Sequence, residues 1–160
     1  RETKIGEMET ATELMGRLAG MGADLLGETL AQLDEITPRP QHDGDATFAP
    51  MLRKEDGLIN WSNNAFTIER SIRGLQPWPN AYTHHHQTHR LILWRATPVG
   101  RELSSSVPGE VVASQGDDLI VECGEDTMLR LIEVQPETKR RMNVRDFMNG
   151  SHLKVGDKLT

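Results

Sequence analysis

Four kinds of side chain in this sequence could do chemistry or hold a ligand: a histidine cluster, two groups of cations, a single thiol and three tryptophans. His84, His85 and His86 are consecutive, and His89 follows three residues later. Imidazole is the commonest metal ligand. Neighbouring residues on a strand, however, point to opposite faces, so three successive histidines do not supply the convergent geometry an ion needs. The run is read as a site of adventitious nickel or zinc uptake, with no functional metal expected. Arg53, Lys54, Arg70 and Arg73 make one cationic group; Lys139, Arg140 and Arg141 make a second. Cations so placed either contact phosphate, with an affinity that falls as salt rises, or form ordinary solvated surface. Position alone leaves both readings open, because phosphate contacts leave no sequence signature. Cys123 has no histidine at a spacing that would activate it, and reads as a buried or half-buried strand residue. Trp61, Trp78 and Trp94 could stack on bases. Trp94 lies in an apolar run and is expected in the core; Trp78, flanked by Pro77 and Pro79, is expected to be a buried structural wedge.

These residues must be carried by a helix, a linker and a set of strands. Thr10-Ala11-Thr12-Glu13 is a capping-box pattern that opens a helix over residues 10–35. Its apolar stripe runs through Leu14, Leu18, Met21, Leu25, Leu26, Leu30 and Leu33. Four glycines weaken the helix in isolation, so it needs a body to pack against, and the remaining sequence does not offer one. Pro38, Pro40, Gly44 and Pro50 mark an extended linker. A second helix is expected with Ser62 as its cap and Ala65, Ile68, Ile72 and Leu75 on one face. Leu91–Arg95, Glu110–Ala113, Leu119–Glu122 and Met128–Val134 read as strands punctuated by Gly109, Gly116 and Gly124. Alternation turns Leu129, Leu131 and Val134 inward. A short helix from Val144 to Asn149 has Asn143 as its cap and Gly150 as its stop. Short strands at near-regular spacing indicate a small barrel.

The 160 residues suffice for one domain with an appended segment. Aromatic residues are only 4%, which argues against an aromatic-rich platform for single-stranded nucleic acid. The net charge of −6 is unusual for a nucleic-acid binder, but it is unevenly spread. Residues 1–50 balance at −6, residues 51–107 at +3 and residues 108–160 at −3. A local basic face can therefore act alone, because screening hides charges beyond about 8–10 Å. No apolar run is long enough for a membrane helix, and the N-terminus has no signal-peptide pattern. The lone cysteine suits a reducing compartment; the expected location is cytoplasmic, with no membrane partner.

Four stretches, in order, resemble the methionyl-tRNA formyltransferase family. The first is Glu9-Thr10-Ala11-Thr12-Glu13-Leu14 with Gly22-Ala23-Asp24-Leu25-Leu26. The second runs from Thr47-Phe48-Ala49-Pro50 to Asn60-Trp61. The third is Ile72-Arg73-Gly74-Leu75-Gln76-Pro77-Trp78-Pro79-Asn80-Ala81-Tyr82-Thr83. The fourth is Val134-Gln135-Pro136-Glu137-Thr138-Lys139-Arg140-Arg141-Met142, continuing to Gly156-Asp157-Lys158-Leu159. The resemblance implies a fragment that begins at the last helix of the family's catalytic domain. Residues 1–36 would be that helix, residues 37–60 a linker, and residues 61–160 an oligonucleotide-binding-like small β-barrel. The expected fold class is thus mainly β with short helices, preceded by a helix and a linker.

The family formylates methionyl initiator tRNA with 10-formyltetrahydrofolate as donor. Its Asn, His and Asp catalytic groups and its folate-binding loop match no position here. The resemblance therefore implies no catalytic residue, no cofactor held by this fragment, and no activity for the fragment alone. It implies tRNA contact by Arg53, Lys54, Arg70, Arg73, Lys139, Arg140 and Arg141, with initiator methionyl-tRNA and the absent N-terminal catalytic domain as partners. Met51 stands where the family often has lysine, and Arg53 where it has a small polar residue. The alternative is the C-terminal domain of a formyltetrahydrofolate hydrolase or a sugar formyltransferase, with no RNA partner.

Overall fold

A computed structural model describes residues 1–85, 89–100 and 106–160. They divide into two units, Arg1–Leu52 and Arg53–Thr160.

The first unit is built on α1, Ala11–Ala31. The Glu13 amide donates to the Thr10 hydroxyl at 3.3 Å, and the Thr10 amide donates to the Glu13 carboxylate at 2.8 Å. This reciprocal pair is the capping box read from the sequence. Arg17 ties the preceding segment back onto the helix, donating to the Glu9 carboxylate at 2.8 and 2.9 Å and to the Lys4 carbonyl at 2.8 Å. The Arg17 guanidinium, followed by the Gly6 amide, holds the Glu9 carboxyl below the ordinary carboxylate range. No residue of α1 is buried. Leu14 and Met21 are half-buried, while Leu18, Leu25, Leu26, Leu30 and Leu33 are exposed. Short 3-10 turns at Leu33–Glu35 and Asp43–Asp45 follow.

The second unit carries α2 (Ala65–Gly74), β1 (Tyr82–His85), β2 (His89–Val99), β3 (Val111–Gln115), β4 (Asp118–Glu122), β5 (Met128–Pro136), β6 (Met142–Asn143) and α3 (Val144–Ser151). Residues 53–60, read from the sequence as the end of the linker, are packed into this unit. They form a 3-10 turn at Lys54–Gly57, and Ile59 joins the core. The cap of α2 is Asn64, not Ser62: the Asn64 side chain accepts from the Thr67 amide at 2.8 Å. Asn143 caps α3 as expected, accepting from the Asp146 amide at 2.8 Å. Gly150 does not stop α3, which runs on to Ser151 and ends where His152 turns left-handed at φ 55°.

The strands lie in the order β1-β2-β5-β4-β3, all antiparallel, with β6 added to β5. The segment after α3 joins the two ends of this order. The Leu159 amide donates to the Gly109 carbonyl at 2.8 Å, and the Val111 amide to the Asp157 carbonyl at 2.8 Å. One residue further, Thr160 and His84 exchange backbone hydrogen bonds of 2.7 and 3.1 Å. The sheet thus curls into the small β-barrel expected from the sequence. Gly109 permits this approach: its φ is +90°, and a Cβ there would sit 2.6 Å from the Leu159 carbonyl oxygen.

Leu91, Leu93, Val111, Leu119, Val121, Leu129, Leu131 and Val134 are fully buried. Each contributes about 1.5–3 kcal/mol relative to exposure. Inward positions on β5 step from Leu131 to Val134, and on β2 from Leu93 to Ala96. Both steps skip one residue more than strict alternation allows. Irregular register at Leu93/Arg95 and Arg95/Ala96 shifts the two strands together, so both keep their apolar side inward. Ala65, Ile68 and Ile72 of α2, with Val144 and Phe147 of α3, complete the core. Trp61 is also buried, its indole N–H donating to the Thr83 hydroxyl at 3.0 Å.

Candidate nucleic-acid interface

The second unit holds fourteen Lys/Arg and fourteen Asp/Glu, and the whole net charge of −6 lies in residues 1–52. Which cations face carboxylates therefore decides where a polyanion could sit. The seven residues proposed from the sequence divide into two kinds.

Arg73 and Arg141 are engaged. Arg73 makes a forked contact with Glu69 one helical turn earlier, at 2.6 and 3.1 Å. Their side chains are only 16% and 11% exposed, which makes this a half-buried structural pair. Arg141 pairs with Glu133, and its guanidinium lies 4.9 Å from the Trp94 ring centroid. Glu133 is shared with Arg95 at 3.6 Å.

Arg53, Lys54, Arg70, Lys139 and Arg140 are exposed, and no carboxylate pairs with them among the described residues. Arg53 and Lys54 lie at the 3-10 turn, Arg70 on the outer side of α2, and Lys139 and Arg140 in the turn from β5 to β6. A chain of contacts links these places. A Cβ on Gly57 would meet the Asn80 carbonyl oxygen, and the Asn80 amide donates to the Leu75 carbonyl at the end of α2. Gln76 then donates to the Trp94 carbonyl at 2.9 Å, and Trp94 lies under Arg141. A shallow concavity of about 440 Å³ beside the turn is lined by Glu133, Arg140, Arg141, Met142, Asn143 and Asp146.

Trp94 was expected in the core and is half-buried instead. Its irregular position on β2 turns the ring away from the core; the indole N–H donates to Gln135 at 2.9 Å, and Gln135 donates to the Lys139 carbonyl at 2.9 Å. Trp94 and Gln135 thus brace the basic turn from below, a role sequence reasoning missed. Trp78 is not a buried wedge. It is 57% exposed, because the flanking prolines carry it out beyond the end of α2. Arg90, also passed over, lies 4.0 Å over the Tyr82 ring.

His84 and His85 point to different neighbours. His84 meets Tyr82 edge-on, whereas His85 is buried against Phe147. His86 lies outside the described residues. Among the described residues no group of three or more His, Cys, Asp or Glu could hold a metal. Cys123 is buried; burial first, and then the neighbouring Glu122 charge, push its thiol up to about 12. A thiol held protonated is not a nucleophile.

Residues 51–152 match the family model described as "Formyl transferase, C-terminal domain". Methionyl-tRNA formyltransferase of Solibacter usitatus is 44% identical over 99% of this chain and 50% of its own length. The enzyme of the same name from Caldanaerobacter subterraneus is 40% identical over 98% of this chain and 50% of its own length. The chain spans about half the length of these curated relatives. Among solved structures, a variant of HypX from Aquifex aeolicus superposes with a TM-score of 0.57 at 16% identity, over 84% of this chain and 24% of that one. At that identity the likeness establishes a shared fold alone. Among the described residues, no helix is long and apolar enough to cross a membrane.

Proposed function

Because the chain belongs to the family of formyl transferase C-terminal domains, we propose that it is the tRNA-holding half of a cytoplasmic methionyl-tRNA formyltransferase. The observation that carries this reading is the pairing of similarity over nearly all of this chain, and half of each relative, to enzymes of that name with five cations on the second unit that no carboxylate among the described residues pairs with. Neither half of the pair is sufficient, since a family match says nothing of which face works, and a basic face says nothing of which polyanion it meets.

On this reading the initiator tRNA lies across Arg53, Lys54, Arg70, Lys139 and Arg140, which contact phosphates and fix its position. Such contacts hold a backbone without reading bases. Formyl transfer joins the methionyl amine to the formyl carbon of 10-formyltetrahydrofolate and breaks that carbon's bond to the folate nitrogen. It requires a group to take the amine proton and donors aimed at the developing oxyanion. Those groups, with the donor itself, belong to an upstream catalytic domain. Residues 1–36 are its closing helix, and the exposed leucines of α1 are the face that meets it.

Filter binding of the chain to initiator methionyl-tRNA at about 50 and 200 mM salt tests the first half of this proposal, with binding that weakens steeply expected. Absence of binding at the lower salt would favour a formyltetrahydrofolate hydrolase or sugar formyltransferase domain instead. Formyl transfer by the chain alone, at the rate of a two-domain enzyme, would refute the second half.

A further inference from the structure

A cleft of about 420 Å³ opens between the β1–β2 hairpin, the β5–β6 turn and α3. It is separate from the shallow concavity beside Arg140, although Met142 and Asp146 border both. Its volume lies in the range of about 300–1,000 Å³ usual for small-molecule sites. Its apolar floor includes Met142 and Phe147. One wall is made of rings: His85 lies 5.5 Å from Phe147, edge-on at 89°, and 5.5 Å from His89 at a tilt of 35°. Lys139 stands on the lining without a carboxylate partner among the described residues. The carboxylates of Glu137 and Asp146, with the hydroxyls of Thr138 and Ser151, complete the polar part.

This set is selective. A second phosphate would face two carboxylates, whereas a planar base bearing an exocyclic amine meets a ring wall, an apolar floor and carboxylate acceptors. RNA-binding proteins commonly stack splayed-out bases on aromatic or histidine rings and read their polar edges by hydrogen bonds. We propose that this cleft receives one unstacked nucleotide of the bound RNA, with its base on the exposed His89 ring, which His85 backs in turn against Phe147, and its phosphate at Lys139. The proposal rests on the RNA reading above and adds to it a base-contacting site beside the phosphate-contacting turn. Adenine, guanine and cytosine carry the amine that Glu137 or Asp146 would accept; uracil does not.

The fold supplies a variant that blocks this site without disturbing the core. Gly150 lies on the cleft wall, and a Cβ added there meets nothing within 4 Å. It sits inside α3, where leucine is the better helix former, so Gly150→Leu adds bulk at the cleft wall and is expected to leave thermal stability undiminished. His89→Ala, at an exposed residue, is a second variant. The experiment uses the whole 160-residue chain with methyl-labelled methionine, titrated first with AMP and UMP, and then with initiator tRNA in a filter assay.

AMP is expected to shift the Met142 methyl while leaving that of core Met128 in place, with UMP weaker. Both variants should lose the AMP shift and bind tRNA about five- to hundredfold more weakly, as removal of one stacked base does. Their salt slope should match the parent's. If tRNA binds the parent and Gly150→Leu equally, the cleft proposal is overturned and the RNA reading stands, whether or not AMP shifts Met142. If the parent binds no tRNA at low salt, the RNA reading fails, and the cleft proposal with it.

Discussion

Replacing Arg140 or Arg73 with alanine removes one positive charge in either case, yet the two changes should move different observables. Arg140 is exposed and faces no carboxylate among the described residues. If it neutralises one phosphate, its loss removes about 0.9 from the slope of log affinity against log salt. Five such cations would give a slope of about 4–5 and an affinity loss of about 500-fold between roughly 50 and 200 mM salt; Arg140→Ala would cut that ratio by about three- to fourfold. Arg73 instead holds the half-buried Glu69 through two hydrogen bonds. Its removal leaves a poorly solvated carboxylate without its main partner, at a cost of about 1–3 kcal/mol in folding stability. Filter binding across a salt series, paired with urea denaturation, separates the two outcomes. Arg140→Ala should reduce the slope at unchanged stability, and Arg73→Ala should lower stability at nearly unchanged slope. A salt slope that Arg73→Ala flattens and Arg140→Ala leaves intact would refute the division into engaged and available cations.

Other expectations test the fold. A Cβ on Gly124 would lie 1.8 Å from the Ser62 carbonyl oxygen; Gly124→Ala should cost at least about 1–3 kcal/mol as overpacking against backbone, measured by urea denaturation. Thr10→Ala breaks the capping box and should remove about 1 kcal/mol from α1, visible as lost helicity in circular dichroism. The Cys123 thiol, near 9 when unfolded and pushed up to about 12 when folded, stays protonated in the native state after the unfolded chain has begun to release its proton. The stability linked to it is complete below pH 9 and declines as pH rises towards 12. Alkylation of Cys123 at pH 9 should be slow in the native protein and fast in urea.

What the sequence made legible depended on how local the determining interaction is. The Thr10–Glu13 capping box and the Asn143 cap join residues three apart, and both were readable. Strands β3, β4 and β5 announced themselves through β-branched and apolar alternation between glycines. Ser62 and Asn64 are both good caps, and the start at Asn64 is tied to residues far along the chain, its side chain donating to Glu125 and the next amide to the Thr127 hydroxyl. The tail at Asp157–Thr160 has no strand pattern, because its pairing partners, Gly109 and His84, lie far along the chain. Within the site, Arg73 was read from the sequence as a tRNA contact, although Glu69, four residues earlier on the same helix, was a signal that could have shown its engagement. The engagement of Arg141 was not readable, because Glu133 reaches it across the β5–β6 turn. Trp94 was misplaced because its orientation follows from the shared register shift of β2 and β5.

The course of the chain from Asp157 to Thr160 has a bearing on company as well as on shape. A strand whose outer amides and carbonyls stay vacant is a template on which any extended peptide can grow. Here Gly109 and Val111 on one border, and Tyr82 and His84 on the other, are already spoken for by the protein's own backbone. A partner at those positions must be recruited through side chains and not by strand addition.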